Sequence, residues 1–171
     1  PPVHYHGPEA EMATAEVVPT GPPATYALQL TASALGDNGS ATVTVPPARG
    51  AGISPAWRGD TAVVIRARSE KPSAAARIEL VERGGVVYAS DLPLTPAWHD
   101  WRLSLRDFMP SKGSQLKRQV DLSLLESMNL VLHPTEGTGS APPGDCDLQV
   151  QSIALGPLTS LWRTRVALAT E

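Results

Sequence analysis

The sequence predicts an all-β protein, a two-sheet antiparallel jelly-roll sandwich with one short helical turn. Three observations carry that expectation. Short segments of alternating apolar and polar residues recur along the chain, the mark of strands wet on one face. Seventeen prolines and fourteen glycines are spread over 171 residues, which suits many short strands joined by turns. Only residues 121–128 (DLSLLESM) space their apolar side chains as a helix does, through Leu122, Leu125 and Met128, for one or two turns.

The elements follow in order. YALQLTAS (26–33) sets Tyr26, Leu28 and Leu30 against Ala27, Gln29 and Thr31. The turn signal GDNGS comes next, then the alternating ATVTVP (41–46), so the pair reads as a hairpin. TAVVIRARS (61–69) puts Val63, Ile65 and Ala67 on one face and Val64, Arg66 and Arg68 on the other. AARIELVERGGVVYAS (75–90) is a second hairpin, with Ile78 and Leu80 inward, Arg77 and Glu79 outward, and Gly84-Gly85 at the turn. WRLSLRDF turns Leu103 and Leu105 inward, and Trp101 shares their parity. NLVLHP (129–134) and LQVQSIALG (148–156) complete about eight strands. The Pro/Gly-rich stretches 18–23, 46–55 and 134–144 read as loops, the last being the longest and most polar.

Length and composition bound the rest. A chain of 171 residues, 42% hydrophobic, suits one domain with a sizeable core. The expected organisation is an N-terminal extension or first strand (1–23), the sandwich (24–156), and a C-terminal strand or linker to a neighbouring domain (157–171). A net charge of −3 gives no electrostatic case for nucleic acid. No apolar run is long enough for a membrane helix. The single Cys146 forbids an internal disulfide. The bias towards Ala, Arg, Gly and Pro points to a GC-rich bacterial genome. The chain starts at Pro1, and a mature fragment or an excised domain is expected, exported to the periplasm or beyond the cell.

The order of elements then becomes informative. Trp98 opens a strand written W-x-x-x-x-[apolar]-x-[apolar]-x-D-F, ending at Asp107-Phe108. A leucine-rich turn, a penultimate strand and a final strand follow. Near the start, YALQLTAS supplies an Ala-Leu-x-Leu run. Over residues 24–156 the chain resembles the galactose-binding-like jelly rolls found among carbohydrate-binding modules attached to glycoside hydrolases. Proteins of the complex I intermediate-associated type share a similar Trp…Asp-Phe strand. The resemblance to the modules implies a non-catalytic domain that binds a polysaccharide within a larger polysaccharide-active protein. It also implies a ligand lying across one sheet or on the loops at one end.

Candidate site residues come from the wet side of the strands. Arg66, Arg68, Arg77 and Glu79 are expected to share an open face, with Asn129 and His133 from the later strand. Such groups offer the paired donors and acceptors that sugar hydroxyls need, and an Arg pair can fork onto carboxylates. A soluble or acidic glycan is therefore expected. Tyr88 is the aromatic residue nearest that face in sequence, and Trp57, in the loop GISPAWRGD, either stacks on a sugar or covers the end of the sandwich. Charged residues on an exposed strand face are also ordinary sheet decoration, so a second reading stands beside the first: a jelly roll that braces a neighbouring domain or partner and has no sugar site. Trp98 and Phe108 are expected in the core.

Metal and catalytic signals are sparse. His4-x-His6 with Glu9 and Glu11 could take a transition metal. The resemblance implies a structural calcium in many of the modules, but Gln151 stands where their last strand carries an Asp, which leaves Asp37, Asp145 and Asp147 as carboxylates that turn chemistry explains equally well. No other cofactor is expected. No nucleophile elbow, phosphate loop or dinucleotide fingerprint is present. Cys146 with His133 or His99 has no diagnostic neighbours, and His99 and Asp100 point to opposite faces of a strand, so an enzyme is not expected.

Overall fold

The computed structural model describes residues 3–6, 13–21, 25–35, 39–45, 61–71, 74–111, 119–134 and 144–157. Among them eleven strands form two antiparallel sheets. In chain order these are β1 (Val3–His6), β2 (Ala13–Gly21), β3 (Thr25–Leu35), β4 (Ser40–Val45), β5 (Thr61–Arg68) and β6 (Ala74–Glu82). Then follow β7 (Val87–Leu92), β8 (His99–Ser104), β9 (Met109–Pro110), β10 (Leu125–Pro134) and β11 (Gly144–Pro157). The six-stranded sheet has the order β1-β4-β10-β6-β7-β9, and the five-stranded sheet β2-β3-β11-β5-β8. The expected all-β, two-sheet sandwich is what forms.

The alternation in sequence becomes alternation in burial. On β5, Val63, Ile65 and Ala67 are buried while Val64, Arg66 and Arg68 are partly exposed. Ile78 and Leu80 on β6, Leu130 and Leu132 on β10, and Leu28, Leu30 and Leu148 in the other sheet fill the layer between the sheets. The β6–β7 turn needs its glycines: Gly84 and Gly85 have φ of 101° and 82°, and the Glu82 amide donates to the Val86 carbonyl at 2.9 Å.

Three local readings are corrected. β3 and β4 are not a hairpin. β3 lies between β2 and β11 and β4 lies between β1 and β10, so the two strands belong to different sheets. Residues 18–21 are not loop but the end of β2. Its Pro19 is tolerated because β2 is an edge strand, where a missing N–H leaves no ladder bond unmade. The helical spacing over 121–128 shrinks to a 3-10 turn at Leu122–Leu124, capped by the Asp121 side chain, which accepts from the Ser123 amide at 3.0 Å. That turn is anchored by Glu82, fully buried, whose Oε1 accepts from the Asp121 amide at 2.6 Å.

The Trp/Phe-rich stretch is a corner between the sheets. β8 belongs to the five-stranded sheet and β9 to the six-stranded one. A 3-10 turn at Leu105–Asp107 joins them, with Leu105 and Phe108 buried at the crossing. Phe108 is in the core as expected. Trp98 is only half-buried and stands just before β8, outside the core cluster.

Candidate functional site

The topology separates residues that the sequence placed together. Arg66 and Arg68 lie on the outer face of the five-stranded sheet, whereas Arg77, Glu79, Asn129 and His133 lie on the outer face of the six-stranded sheet, on the far side of the core. β5 and β6 are consecutive in the chain but join different sheets, so their outward residues face away from one another. Tyr88 is 0% exposed and packs between the sheets opposite Leu80, so it offers no platform to a ligand on either face. Trp57 and the loop within 134–144 lie outside the described residues, apart from the strand ends Pro134 and Gly144.

On the six-stranded sheet the polar side chains satisfy one another. Asn129 donates from Nδ2 to Glu79 Oε2 at 3.2 Å and accepts at Oδ1 from the Thr44 hydroxyl at 3.0 Å. Arg77 Nε donates to Asp91 Oδ1 at 3.1 Å, directly across β6 and β7. These are cross-strand pairs on an exposed face, of the kind worth about 0.2–1 kcal/mol each.

The five-stranded sheet carries a different arrangement. Arg66 donates from Nε to Gln151 Oε1 at 2.7 Å and from NH1 to Asp100 Oδ1 at 3.2 Å. Arg68 donates from Nε to Gln149 Oε1 at 2.9 Å and pairs through NH2 with Glu70 Oε1 at 2.7 Å. The same unit, a guanidinium held by a glutamine carbonyl and a carboxylate, thus repeats two residues along β5, about 6.6–6.8 Å away. A guanidinium has five N–H donors in a planar fork. Two are used in each unit among the described residues, and the side chains are 39% and 26% exposed, so donors remain at the surface. The Arg68 guanidinium carbon sits 4.9 Å from the centre of the Trp98 ring.

Each part has a structural cause. A bulge in β11 between Val150 and Ser152 lets Gln151 join Gln149 on the outer side while Val150 and Ile153 both stay buried. Trp98 is brought to Arg68 by the connection from β7 to β8, which the Ser69 amide ties down by donating to the Thr95 carbonyl at 3.0 Å. The turn after β5 is fixed by Asp147, 3% exposed. Its Oδ1 accepts from the Ser69 hydroxyl at 2.9 Å and from the Glu70 and Lys71 amides at 3.0 Å each. Register then sets Glu16, Gln29, Gln149 and Arg68 side by side across β2, β3, β11 and β5. That row is a polar track roughly 14 Å long at the usual strand spacing, with Trp98 at its Arg68 end.

Reading the sequence missed Trp98, Gln149, Gln151 and Asp100 as site residues. The signal for the glutamines was present in their alternation with Leu148 and Val150. Of the carboxylates suggested for calcium, Asp147 Oδ1 accepts from three donors of the turn after β5, Asp145 Oδ2 accepts from the Lys71 ammonium at 3.0 Å, and Asp37 lies outside the described residues. Among the described residues, no three His, Cys, Asp or Glu side chains are grouped to hold a metal ion. Cys146 is buried in the five-stranded sheet, far from the outer face that carries His133, and His99 and Asp100 take opposite faces of β8. No helix among the described residues is long and apolar enough to cross a membrane.

No protein-family model and no curated protein matches the sequence. Solved structures do. A family 11 carbohydrate-binding module of a cellulosomal cellulase of Clostridium thermocellum is similar at a TM-score of 0.63 and 11% identity, covering 91% of this chain and 87% of that one. The chain shares the two-sheet jelly-roll fold of that module. A family 11 module from the same organism, solved in complex with a β-1,3-1,4-mixed-linked tetrasaccharide, matches at a TM-score of 0.61 and 13% identity, over 88% and 86% of the two chains. An agarase matches at a TM-score of 0.54 and 14% identity over 89% of this chain, which corresponds to 23% of the agarase.

Proposed function

We propose that this jelly roll is a non-catalytic carbohydrate-binding module whose ligand lies across the outer face of the five-stranded sheet. The observation that carries this reading is the repeated Arg–Gln–carboxylate unit beside Trp98. Two guanidiniums with donors unused among the described residues, two amides and an indole ring form a surface of fixed polar groups with an aromatic edge, the composition that sugar recognition uses. The guanidiniums are already oriented by Gln149, Gln151 and their carboxylate partners. Binding therefore forfeits less than the roughly 0.5–1.5 kcal/mol that each freely rotating side chain would lose. Paired guanidiniums favour a soluble glycan that carries carboxylates or other anionic groups. The module would serve a larger polysaccharide-active protein, a context supported by the agarase of which a similar domain is only part; a bacterial periplasm or exterior is the setting the sequence composition favours.

A second reading, a domain that braces a neighbour, is favoured by one feature. Tyr26 and Val17, 56% and 38% exposed, lie on neighbouring strands at the β2 edge, where a partner surface could cover them. Affinity electrophoresis against neutral and acidic polysaccharides separates the two. Retardation by an acidic glycan, lost in Arg68→Ala, is the expected result. Migration unaffected by every glycan would leave the bracing role.

A further inference from the structure

We propose that the glycan taken by the five-stranded sheet carries its anionic groups sparsely, and that Glu16, together with the carboxylates beside the guanidiniums, sets that limit. This charge pattern belongs to the ligand proposed above and stands only if that reading does.

The outer face of this sheet is rich in arginine but not in positive charge. Arg66 is paired with Asp100, and Arg68 with Glu70. Arg102 shares the face, since it is exposed and stands on β8 opposite Val64. Glu16 is its counterpart on β2, exposed and, among the described residues, without a hydrogen bond or ion pair. Three guanidiniums thus meet three exposed carboxylates. Lys71 and Asp145 add a further pair, and Asp147 adds a buried carboxylate engaged by the backbone amides of the turn after β5.

A polysaccharide charged on every sugar gains little from such a face. Its anions compete with carboxylates already seated on Arg66 and Arg68 at 3.2 and 2.7 Å, and no excess of positive charge draws the chain in from a distance. A single carboxylate or sulfate can still use the donors left on each planar fork.

Register fixes where that group sits relative to its neighbours. Glu16, Gln29, Gln149 and Arg68 stand opposite one another in succession, so the track runs from a carboxylate to a guanidinium over roughly 14 Å. The Debye length at physiological ionic strength is about 8 Å, so an anion held at the Arg68 end is largely shielded from Glu16. A second anion further along the same chain meets Glu16 directly, and the side chains between, Gln29 and Gln149, are neutral amides. One anionic group per crossing, with neutral sugars over the rest of the track, is the pattern that fits.

The test is affinity electrophoresis of the full chain against polymers made on a β-glucan, a xylan and a galactan backbone, each unsubstituted, carboxymethylated on a minority of its sugars, or carboxymethylated on every sugar. On the backbone that retards the protein most, the sparse polymer should bind about tenfold tighter than the neutral one and at least about twofold tighter than the dense one. Glu16→Gln should raise affinity for the dense polymer by about two- to fivefold, the strength of an exposed charge pair. Glu79→Gln removes the same formal charge from the other sheet and should leave the sparse-to-dense ratio at its wild-type value. A dense polymer bound by the wild type as tightly as the sparse one, a ratio that Glu16→Gln leaves unchanged, or an equal shift in Glu79→Gln overturns the proposal and leaves glycan binding standing. So does a neutral polymer that binds as tightly as the sparse one. No retardation on any backbone, or retardation indifferent to Arg68→Ala, overturns the glycan reading itself and this proposal with it.

Discussion

Asp147 is the residue on which the geometry of the candidate glycan face rests. Its carboxylate is nearly inaccessible and accepts from one hydroxyl and two backbone amides of the turn that carries Glu70. Asp147→Ala leaves those donors unpaired and should cost about 2–3 kcal/mol, seen as a lower urea midpoint with unchanged slope. Asp147→Asn retains an acceptor oxygen and should cost less. A loss below half a kcal/mol in the alanine variant would show that the turn is held by other groups. At this scale the sequence was legible for inward residues and poorly legible for the site. Phe108 could be assigned to the core from its place after an alternating strand. Trp98 could not be assigned to Arg68, because it precedes β8 and is positioned by a loop contact between Ser69 and Thr95 that no local pattern encodes. Gln151 was read as a failed calcium ligand, and its actual task, orienting Arg66, depends on a bulge visible only in the paired strands.

Elements were more legible than residues, since period-two alternation reports a strand wherever one face is dry. The β6–β7 hairpin was readable in full: two alternating runs around Gly84-Gly85 leave one solution. Its turn gives a clean prediction. Gly84 adopts a φ of 101°, and a Cβ built there meets nothing within 4 Å, so Gly84→Ala costs only backbone strain. About 1–2 kcal/mol is expected, with amide exchange accelerated at the β6–β7 ladder end. An unchanged melting midpoint would mean the turn relaxes into another type. β2 was harder to find, because a Pro and a Gly near its end imitate a loop, and only its edge position makes Pro19 acceptable. GDNGS reads as a hairpin turn in sequence, but a connection between sheets and one within a sheet look alike when both flanking strands alternate. What separates them is the choice of partners, and β10 and β11, which lie about 85 and 115 residues further on, make that choice.

Sheet membership is a property of the whole molecule, and it decides how many binding faces the protein has. Alternation reported correctly that Arg66, Arg68, Arg77 and Glu79 point outward. It could not report that outward from β5 and outward from β6 are opposite directions, because these two consecutive strands join different sheets whereas β6 and β7, also consecutive, share one. Packed sheets lie about 10 Å apart between their backbones, with a layer of apolar side chains filling the gap. Leu80, Tyr88 and Leu130 from one sheet and Leu30, Ile65 and Leu148 from the other make that layer here. A glycan chain resting on one face therefore cannot touch the other, and the two sets of charges must act independently. Arg77→Ala and Glu79→Gln should leave glycan affinity within about twofold, whereas Arg66→Ala and Arg68→Ala should each weaken it by roughly tenfold or more, the loss of a charge-assisted hydrogen bond. All four variants should keep wild-type thermal midpoints to within a few degrees, because exposed ion pairs contribute little to stability. Equal losses from both faces would mean that a ligand wraps the edge of the sandwich, and a loss confined to Arg77→Ala would move the site to the six-stranded sheet.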